Sequence, residues 1–71
     1  MYICQRCEGE LSDADTVVWA AEMIDTSTQE GREWTEGMKV FFHPRCAPVG
    51  FPASPYRLLG KTTVAEAIRR P

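Results

Sequence analysis

Two short stretches, CQRC at residues 4–7 and HPRC at residues 43–46, decide the fold of this chain. Each stretch carries two potential metal ligands separated by two residues, and a tight turn brings both side chains toward one point. Thiolates and an imidazole at the corners of a tetrahedron are donors that favour Zn²⁺. The predicted zinc ligands are Cys4, Cys7, His43 and Cys46.

The two stretches use every cysteine and the only histidine of the sequence. Three cysteines are an odd number, which leaves one thiol over in a disulfide framework. Four protein ligands complete a tetrahedral shell and leave no position for water or substrate, so we expect one structural Zn²⁺. The open alternatives are buried structural cysteines, a redox pair, or iron held by the same four side chains.

A glycine follows the first ligand pair, because Gly9 stands two residues after Cys7. Backbone N–H groups in the turns around metal-bound cysteines often point at the sulfur atoms. We expect Gly9 to supply the positive φ that such a turn needs. The alternative is that Gly9 only begins a loop.

The residues between the two ligand pairs have the pattern of an antiparallel ribbon. Residues 16–24 and 38–42 are rich in β-branched, aromatic and other apolar side chains, which suit a half-buried strand. Residues 25–37 between them are polar and contain two glycines, which favours a turn. One alternative adds a short strand over residues 32–35 that turns back at residues 36–37. We therefore expect a two- or three-stranded antiparallel hairpin.

The second half of the chain is divided by prolines. Residues 47–56 contain three prolines and a glycine, so we expect a Pro-rich connection that no long helix can cross. Residues 57–71 are predicted to be a C-terminal helical segment, since Thr63 and Glu66 have the spacing of a capping box. Two arrangements stay open for this segment. It packs back on the hairpin, which we prefer, or it folds against a partner.

The length and composition predict one small domain over residues 1–71, with a zinc-binding core at residues 4–46. Apolar residues make up 44% of the chain and charged residues 25%, which is typical of a globular protein and not of a disordered tail. A core of this size seldom supplies more than about 3–5 kcal/mol. We therefore expect the metal to stabilise the fold.

The two ligand pairs and the predicted hairpin together resemble the zinc-binding half of a treble-clef finger. The aromatic Phe41 two positions before His43, followed by Pro44 and Cys46, is similar to the fingers of poly(ADP-ribose) polymerases and LIM domains. The resemblance implies a zinc knuckle, antiparallel hairpins and a fourth ligand at or near a helix start. It assigns the same four ligands. The predicted fold class is a small, metal-stabilised α+β protein of treble-clef-like architecture with a short C-terminal helix.

The chain also departs from both families. The polymerase fingers bind DNA breaks through basic surfaces, whereas the predicted hairpin here is acidic. LIM domains carry a second zinc site, for which this sequence has no cysteines. Pro48 and Gly50 shorten the helix that the families place after the last ligand. The resemblance therefore implies a fold more than a function.

The charges are unevenly distributed and leave two functions open. Residues 1–38 carry a formal charge of −7 and residues 39–71 carry +5, which gives −2 in total. The acidic hairpin favours a protein-interaction module or adaptor with a protein partner. The alternative is a regulatory, DNA-binding or other nucleic-acid-binding finger that uses the basic half. The basic residues in question are Lys39, Arg45, Arg57, Lys61, Arg69 and Arg70.

Several other classes are not expected. Without a second histidine, an open metal position or a nucleophile–base pair, the sequence does not favour an enzyme or a small-molecule substrate. No apolar run approaches the ~18–20 residues that span a bilayer. Residues 1–4 lack the basic region and apolar stretch of a secretory signal, so we expect a cytoplasmic location where thiols stay reduced.

Overall fold

The computed structural model describes residues 2–70 and consists of a small N-terminal hairpin, a three-stranded antiparallel sheet and one short helix. Residues 1 and 71, the ends of the predicted single domain, lie outside the described residues. The strands are β1 (Tyr2–Ile3), β2 (Glu10–Leu11), β3 (Thr16–Asp25), β4 (Trp34–Phe42) and β5 (Tyr56–Thr63). The helices are a 3₁₀ turn (Pro44–Cys46) and α1 (Val64–Arg69).

The three-stranded sheet has the order β4-β3-β5, and both neighbours of β3 run antiparallel to it. The apolar residues in β3 make it the buried central strand, with Val17, Trp19 and Ala20 all nearly inaccessible to solvent. Trp19 lies opposite Phe41 on one side and Gly60 on the other. The predicted antiparallel strands are therefore confirmed.

The hairpin between β3 and β4 is longer and simpler than the sequence indicated. β4 continues without a break from Trp34 to Phe42, so the predicted alternative of a strand over residues 32–35 that turns back at residues 36–37 is wrong. The chain reverses instead at a tip where Thr28 and Gly31 exchange two backbone hydrogen bonds of 2.9 and 3.2 Å. The strand passes through Gly37 at a register shift, where Ala21 pairs with Lys39 but Met23 pairs with Glu36.

The third strand of the sheet comes from the segment predicted to be helical. Within the described part of the predicted helical segment 57–71, which ends at residue 70, residues 57–63 belong to β5 and only residues 64–69 form a helix. Leucines and threonines in residues 56–63 suit a strand, and their backbone satisfies the second edge of β3. The local sequence did not reveal this strand because its partner lies far away along the chain.

Helix α1 begins where the sequence predicted an N-terminal cap. The Thr63 hydroxyl accepts a hydrogen bond from the Glu66 N–H at 3.2 Å, as in a capping box. The Glu66 carboxylate does not reach back to Thr63 but faces Arg69 and Arg70, at 3.9 and 3.6 Å. The short predicted C-terminal helix is therefore present, with only half of the predicted box.

The helix packs back on the sheet. Val64 is fully buried, and Ala67 on the same face is 2% exposed. The Val64 N–H donates to the Asp15 carbonyl at 3.1 Å, and the Ala65 N–H donates to the Asp13 carbonyl at 3.0 Å. These bonds fix the start of α1 beside the start of β3.

One apolar cluster joins the two ligand pairs to the sheet and the helix. It is formed by Cys4, Leu11, Val17, Ala20, Val40, Phe42, Cys46 and Val64, with Phe41 and Tyr56 packed against it. Phe42 and Tyr56 meet edge to face at 5.2 Å between ring centroids. Because Cys4 and Cys46 are members of this cluster, the candidate metal centre and the core are one packed unit. Neither described helix has the length and apolar character needed to cross a bilayer.

Candidate metal centre

The first ligand pair lies in a tight turn between β1 and β2. The Cys4 N–H donates to the Gly9 carbonyl and the Glu8 N–H donates to the Cys4 carbonyl, both at 2.9 Å. These bonds close the turn, so that Cys4 and Cys7 present their sulfur atoms to the same side. Cys4 is buried, whereas Cys7 is exposed at the surface.

The second ligand pair follows directly after β4. Pro44 opens the 3₁₀ turn, where its missing N–H costs nothing, and the Cys46 N–H donates to the His43 carbonyl at 2.8 Å. The two pairs are tied together by the Gln5 N–H, which donates to the Phe41 carbonyl at 2.8 Å. The end of β4 therefore delivers the second pair beside the first.

The four side chains that the sequence predicted as ligands come together in space. One ligand atom from each of Cys4, Cys7, His43 and Cys46 lies within 4.8 Å of all the others. Within this cluster, His43 Nδ1 is 3.2 Å from Cys7 Sγ, and the His43 backbone N–H donates to Cys4 Sγ at 3.4 Å. Zn–S bonds of about 2.3 Å in a tetrahedron place sulfur atoms roughly 3.8 Å apart, so the donors fit a metal ion.

The thiol groups of the cluster influence one another electrostatically. Burial raises the pKa of the Cys4 thiol, but hydrogen bonds from the backbone N–H groups of Cys7, His43 and Arg6 outweigh burial and lower its pKa to about 6. The pKa of Cys46 is raised by burial and further by the neighbouring Cys4 and Cys7 sulfurs. Packed thiolates repel one another, and a bound cation relieves that repulsion.

Gly9 has a role different from the predicted one. The positive φ of this turn belongs to Glu8, at 62°, and not to Gly9. A Cβ at position 9 would lie 3.2 Å from His43 Cε1 and 3.4 Å from Cys7 Sγ. Gly9 therefore makes room for the imidazole of His43. The sequence correctly indicated that Gly9 lies near the site. Its contact with His43, which belongs to the other ligand pair, is visible only in the fold.

Only three of the six basic residues proposed for nucleic-acid binding lie together on one surface. Lys39, Arg57 and Arg70 line one groove, whereas Arg45 lies in the 3₁₀ turn and Lys61 stands on β5 outside that groove. Arg69 faces the carboxylate of Glu66. The groove, called the Lys39 groove below, has a volume of about 730 Å³. It is lined by Trp19, Glu36, Lys39, Arg57, Leu59, Glu66 and Arg70.

Sequence reasoning missed the Lys39 groove because its walls come from four different elements. Trp19 belongs to β3, Lys39 to β4 and Leu59 to β5, while α1 and the residue after it close one side. The sequence signals were present as separate charged and aromatic residues. Their assembly depends on the pairing of β5 with β3.

Comparison with known proteins adds no family to this description. A scan against protein-family models, a search of curated proteins and a search of solved structures each found no significant match. The chain is therefore described by its own features. It is a small α+β protein with antiparallel strands, one short C-terminal helix and a Cys₃His cluster that can hold a metal ion.

Proposed function

We propose that this chain is a zinc-binding protein with one structural Cys₃His site, built as a treble-clef-like finger. The observation that carries the proposal is the convergence of four donor atoms within 4.8 Å of one another. Three sulfurs and one imidazole nitrogen match the preference of Zn²⁺ for soft and borderline ligands. The turn at residues 4–7 serves as the zinc knuckle. The 3₁₀ turn takes the place that a treble clef gives to the start of a helix.

The site is proposed to stabilise the fold and not to catalyse a reaction. Four protein donors fill a tetrahedral shell and leave no open position for water or substrate. Cys4 and Cys46 are also part of the apolar cluster, so an ion at this point joins the N-terminal hairpin to the sheet. Thiolate ligands need a reducing compartment, for which we propose the cytoplasm.

The function carried by this stabilised scaffold is proposed to be protein interaction. In the part of the chain that the structure describes, β4 forms one edge of its sheet, and its end near Phe41 contacts the N-terminal segment. Met38 on this edge strand is 75% exposed. An open strand edge with apolar side chains favours contact with another polypeptide.

Nucleic-acid binding is the second candidate, and one observation favours it. Lys39, Arg57 and Arg70 line the same groove as the aromatic Trp19, which is the combination that single strands use. Glu36 and Glu66 line that groove as well and repel phosphates. The protein-interaction function is therefore our first choice.

Elemental analysis of the purified chain tests the metal proposal. We expect one zinc per chain, bound under reducing conditions without added metal. Replacement by Co²⁺ is expected to give the thiolate charge-transfer bands of a tetrahedral site, and Cys46→Ser is expected to weaken them. A folded sample with no stoichiometric metal would contradict the proposal.

Binding experiments test the two candidate functions against each other. The zinc-loaded chain is titrated with random duplex DNA and with single-stranded DNA at 50 and 300 mM salt. Phosphate contacts make affinity fall steeply with salt, so a nucleic-acid function predicts tight binding at low salt only. We expect no such binding, and we expect specific retention of a protein partner on the immobilised chain. DNA binding with micromolar affinity at 50 mM salt, without a protein partner, would reverse this order.

A further inference from the structure

We propose that the Lys39 groove binds a short acidic peptide segment, in which carboxylates stand next to apolar side chains. The proposal rests on the proposed function, since it names the chemistry of the protein partner and the surface that receives it. Three features support it: the apolar floor of the groove, the charges at its rim, and Lys39, which forms no ion pair within residues 2–70.

The floor of the groove is apolar. Trp19, which is 6% exposed, lines it together with the half-buried Leu59. The volume of about 730 Å³ lies within the ~300–1,000 Å³ of ordinary ligand sites. An apolar floor of this kind receives an aliphatic side chain of a peptide and leaves its backbone at the rim.

Two ion pairs form the rim of the groove. Arg57 pairs with Glu36 at 2.9 Å, and Arg70 pairs with Glu66 at 3.6 Å. All four of these side chains are substantially exposed, so water screens each pair and leaves the guanidinium groups able to reach a second carboxylate. The rim therefore holds its arginines in place without fully neutralising them.

Lys39 is the cation that the rim leaves available. Its Nζ lies 5.5 Å from the centroid of the Trp19 ring, which is cation–π distance. Within residues 2–70 the structure places no carboxylate at ion-pair distance from Lys39. The Trp19 ring thus positions the Lys39 ammonium group above the apolar floor. A ligand carboxylate can pair with this ammonium group while the apolar side chain next to it contacts the floor.

The two acidic rim residues favour a peptide over a nucleic acid. Glu36 and Glu66 reduce the net charge of the lining to +1, which is too little for a continuous phosphate backbone. A peptide carboxylate needs only one cation, and Lys39 has no ion-pair partner within residues 2–70. Charge complementarity therefore selects isolated carboxylates with apolar neighbours.

Fluorescence anisotropy with the full, zinc-loaded chain tests the proposal. The probe is the fluorescein-labelled peptide GSDLDLSG, and its controls are GSNLNLSG without charge and GSKLKLSG with reversed charge. We expect saturable binding of the acidic peptide alone, weakened by salt. Absence of binding, or equal binding of the uncharged control, would overturn the proposal.

A matched pair of variants locates the binding. Lys39→Met keeps an apolar stem over Trp19 but removes the ammonium, whereas Lys61→Met removes the same charge from β5 outside the groove. We expect Lys39→Met to weaken peptide binding about tenfold and Lys61→Met to leave it within twofold. Equal effects of the two variants would show that binding follows net charge and not the groove, which contradicts the proposal.

A third variant is expected to strengthen peptide binding. A gain in affinity cannot be explained by loss of folding. Glu36→Gln removes a repulsive carboxylate and frees Arg57, so we expect it to tighten peptide binding at least twofold. Zinc content and circular dichroism are measured for each variant. Displacement of the peptide by oligothymidylate at equal concentration would assign the groove to nucleic acid instead. If Lys39→Met still retains the protein partner at full affinity, the groove proposal fails while the interaction function stands.

Discussion

The N-terminal hairpin and the three-stranded sheet differ greatly in how much backbone pairing they contain. β1 and β2 have two residues each, whereas β3 has ten residues and pairs with a strand on either side. A hairpin of so few residues is not stable alone in water. The hairpin instead contributes Cys4 to the common core, where this side chain is fully buried.

The difference shows how two kinds of stabilisation share one core. The sheet is held by strand pairing and by burial of residues such as Val17 and Val64. The hairpin end is held by the ligand cluster, whose members Cys4 and Cys46 pack against Phe42. Loss of the proposed metal ion would therefore expose one side of the core that the sheet also needs. How strongly the two ends of the molecule depend on each other can be measured.

Metal removal is expected to have the largest effect. Structural zinc binds finger peptides with apparent free energies of about 10–16 kcal/mol, which exceed the ~3–5 kcal/mol of a core this small. A strong chelator is therefore expected to abolish the native circular dichroism of both ends, and added Zn²⁺ is expected to restore it. Survival of the sheet signal in metal-free protein would show that the two ends are independent.

Acidification is also expected to separate the hairpin end from the sheet, because protons bind to the thiolates that would hold the metal. Backbone N–H groups lower the pKa of Cys4 from 9.0 to about 6, against the opposing effect of burial. A depressed folded-state pKa contributes stability that is complete above pH 9, declines as the pH falls, and is absent below pH 6. Protons compete with the metal ion for the thiolates, so we expect the loaded chain to release zinc and unfold at a pH below about 6, the pKa of the metal-free Cys4 thiol. Circular dichroism and a chromogenic zinc indicator measure both events, and native structure at pH 4 would contradict the expectation.

Two substitutions in α1 measure how much burial in the core stabilises the end of the molecule that holds the sheet. Val64 is fully buried, whereas Ile68, one turn later, is 47% exposed. Val64→Ala removes buried methyl groups and is expected to cost about 2 kcal/mol of unfolding free energy. Ile68→Ala is expected to cost less than about 0.5 kcal/mol. Denaturant unfolding of the zinc-loaded variants compares them, and equal losses would mean that α1 is not packed as described.

Glu8 and Gly9, which follow the first ligand pair, are expected to give the smallest effects, and in opposite directions. Gly9→Ala places a Cβ 3.2 Å from His43 Cε1 and is expected to lower zinc affinity about tenfold through crowding. Glu8→Gly relieves a φ of 62° and is expected to raise stability by up to about 1 kcal/mol. Competition with a chelator measures the first effect and denaturant unfolding the second. If Gly9→Ala binds zinc normally, Gly9 is not needed as space for His43.

The sequence went furthest where a few residue types carry strong chemistry. The spacing of Cys4, Cys7, His43 and Cys46 predicted a cluster that the fold assembles, because few other arrangements satisfy three thiols and one imidazole. Thr63 predicted the start of α1, because a cap is a local hydrogen bond. Both features depend on short segments and on side-chain chemistry.

Prediction failed where the outcome depends on which segments pair. Residues 57–63 have no strong local preference that separates strand from helix, and they became β5 because the second edge of β3 needed a partner. The position of Gly9 against His43 likewise follows from the meeting of two distant turns. Such contacts have no signature within a window of a few residues.

The sequence alone determined the candidate ligand set, the antiparallel strands that join its two halves and the cap of the final helix. Only the tertiary structure decided the third strand, the packing of Val64 against the start of β3 and the assembly of the Lys39 groove. The physical reason is the range of the interactions. Ligand spacing and capping act within a few residues, whereas strand pairing and core packing join residues that are far apart along the chain.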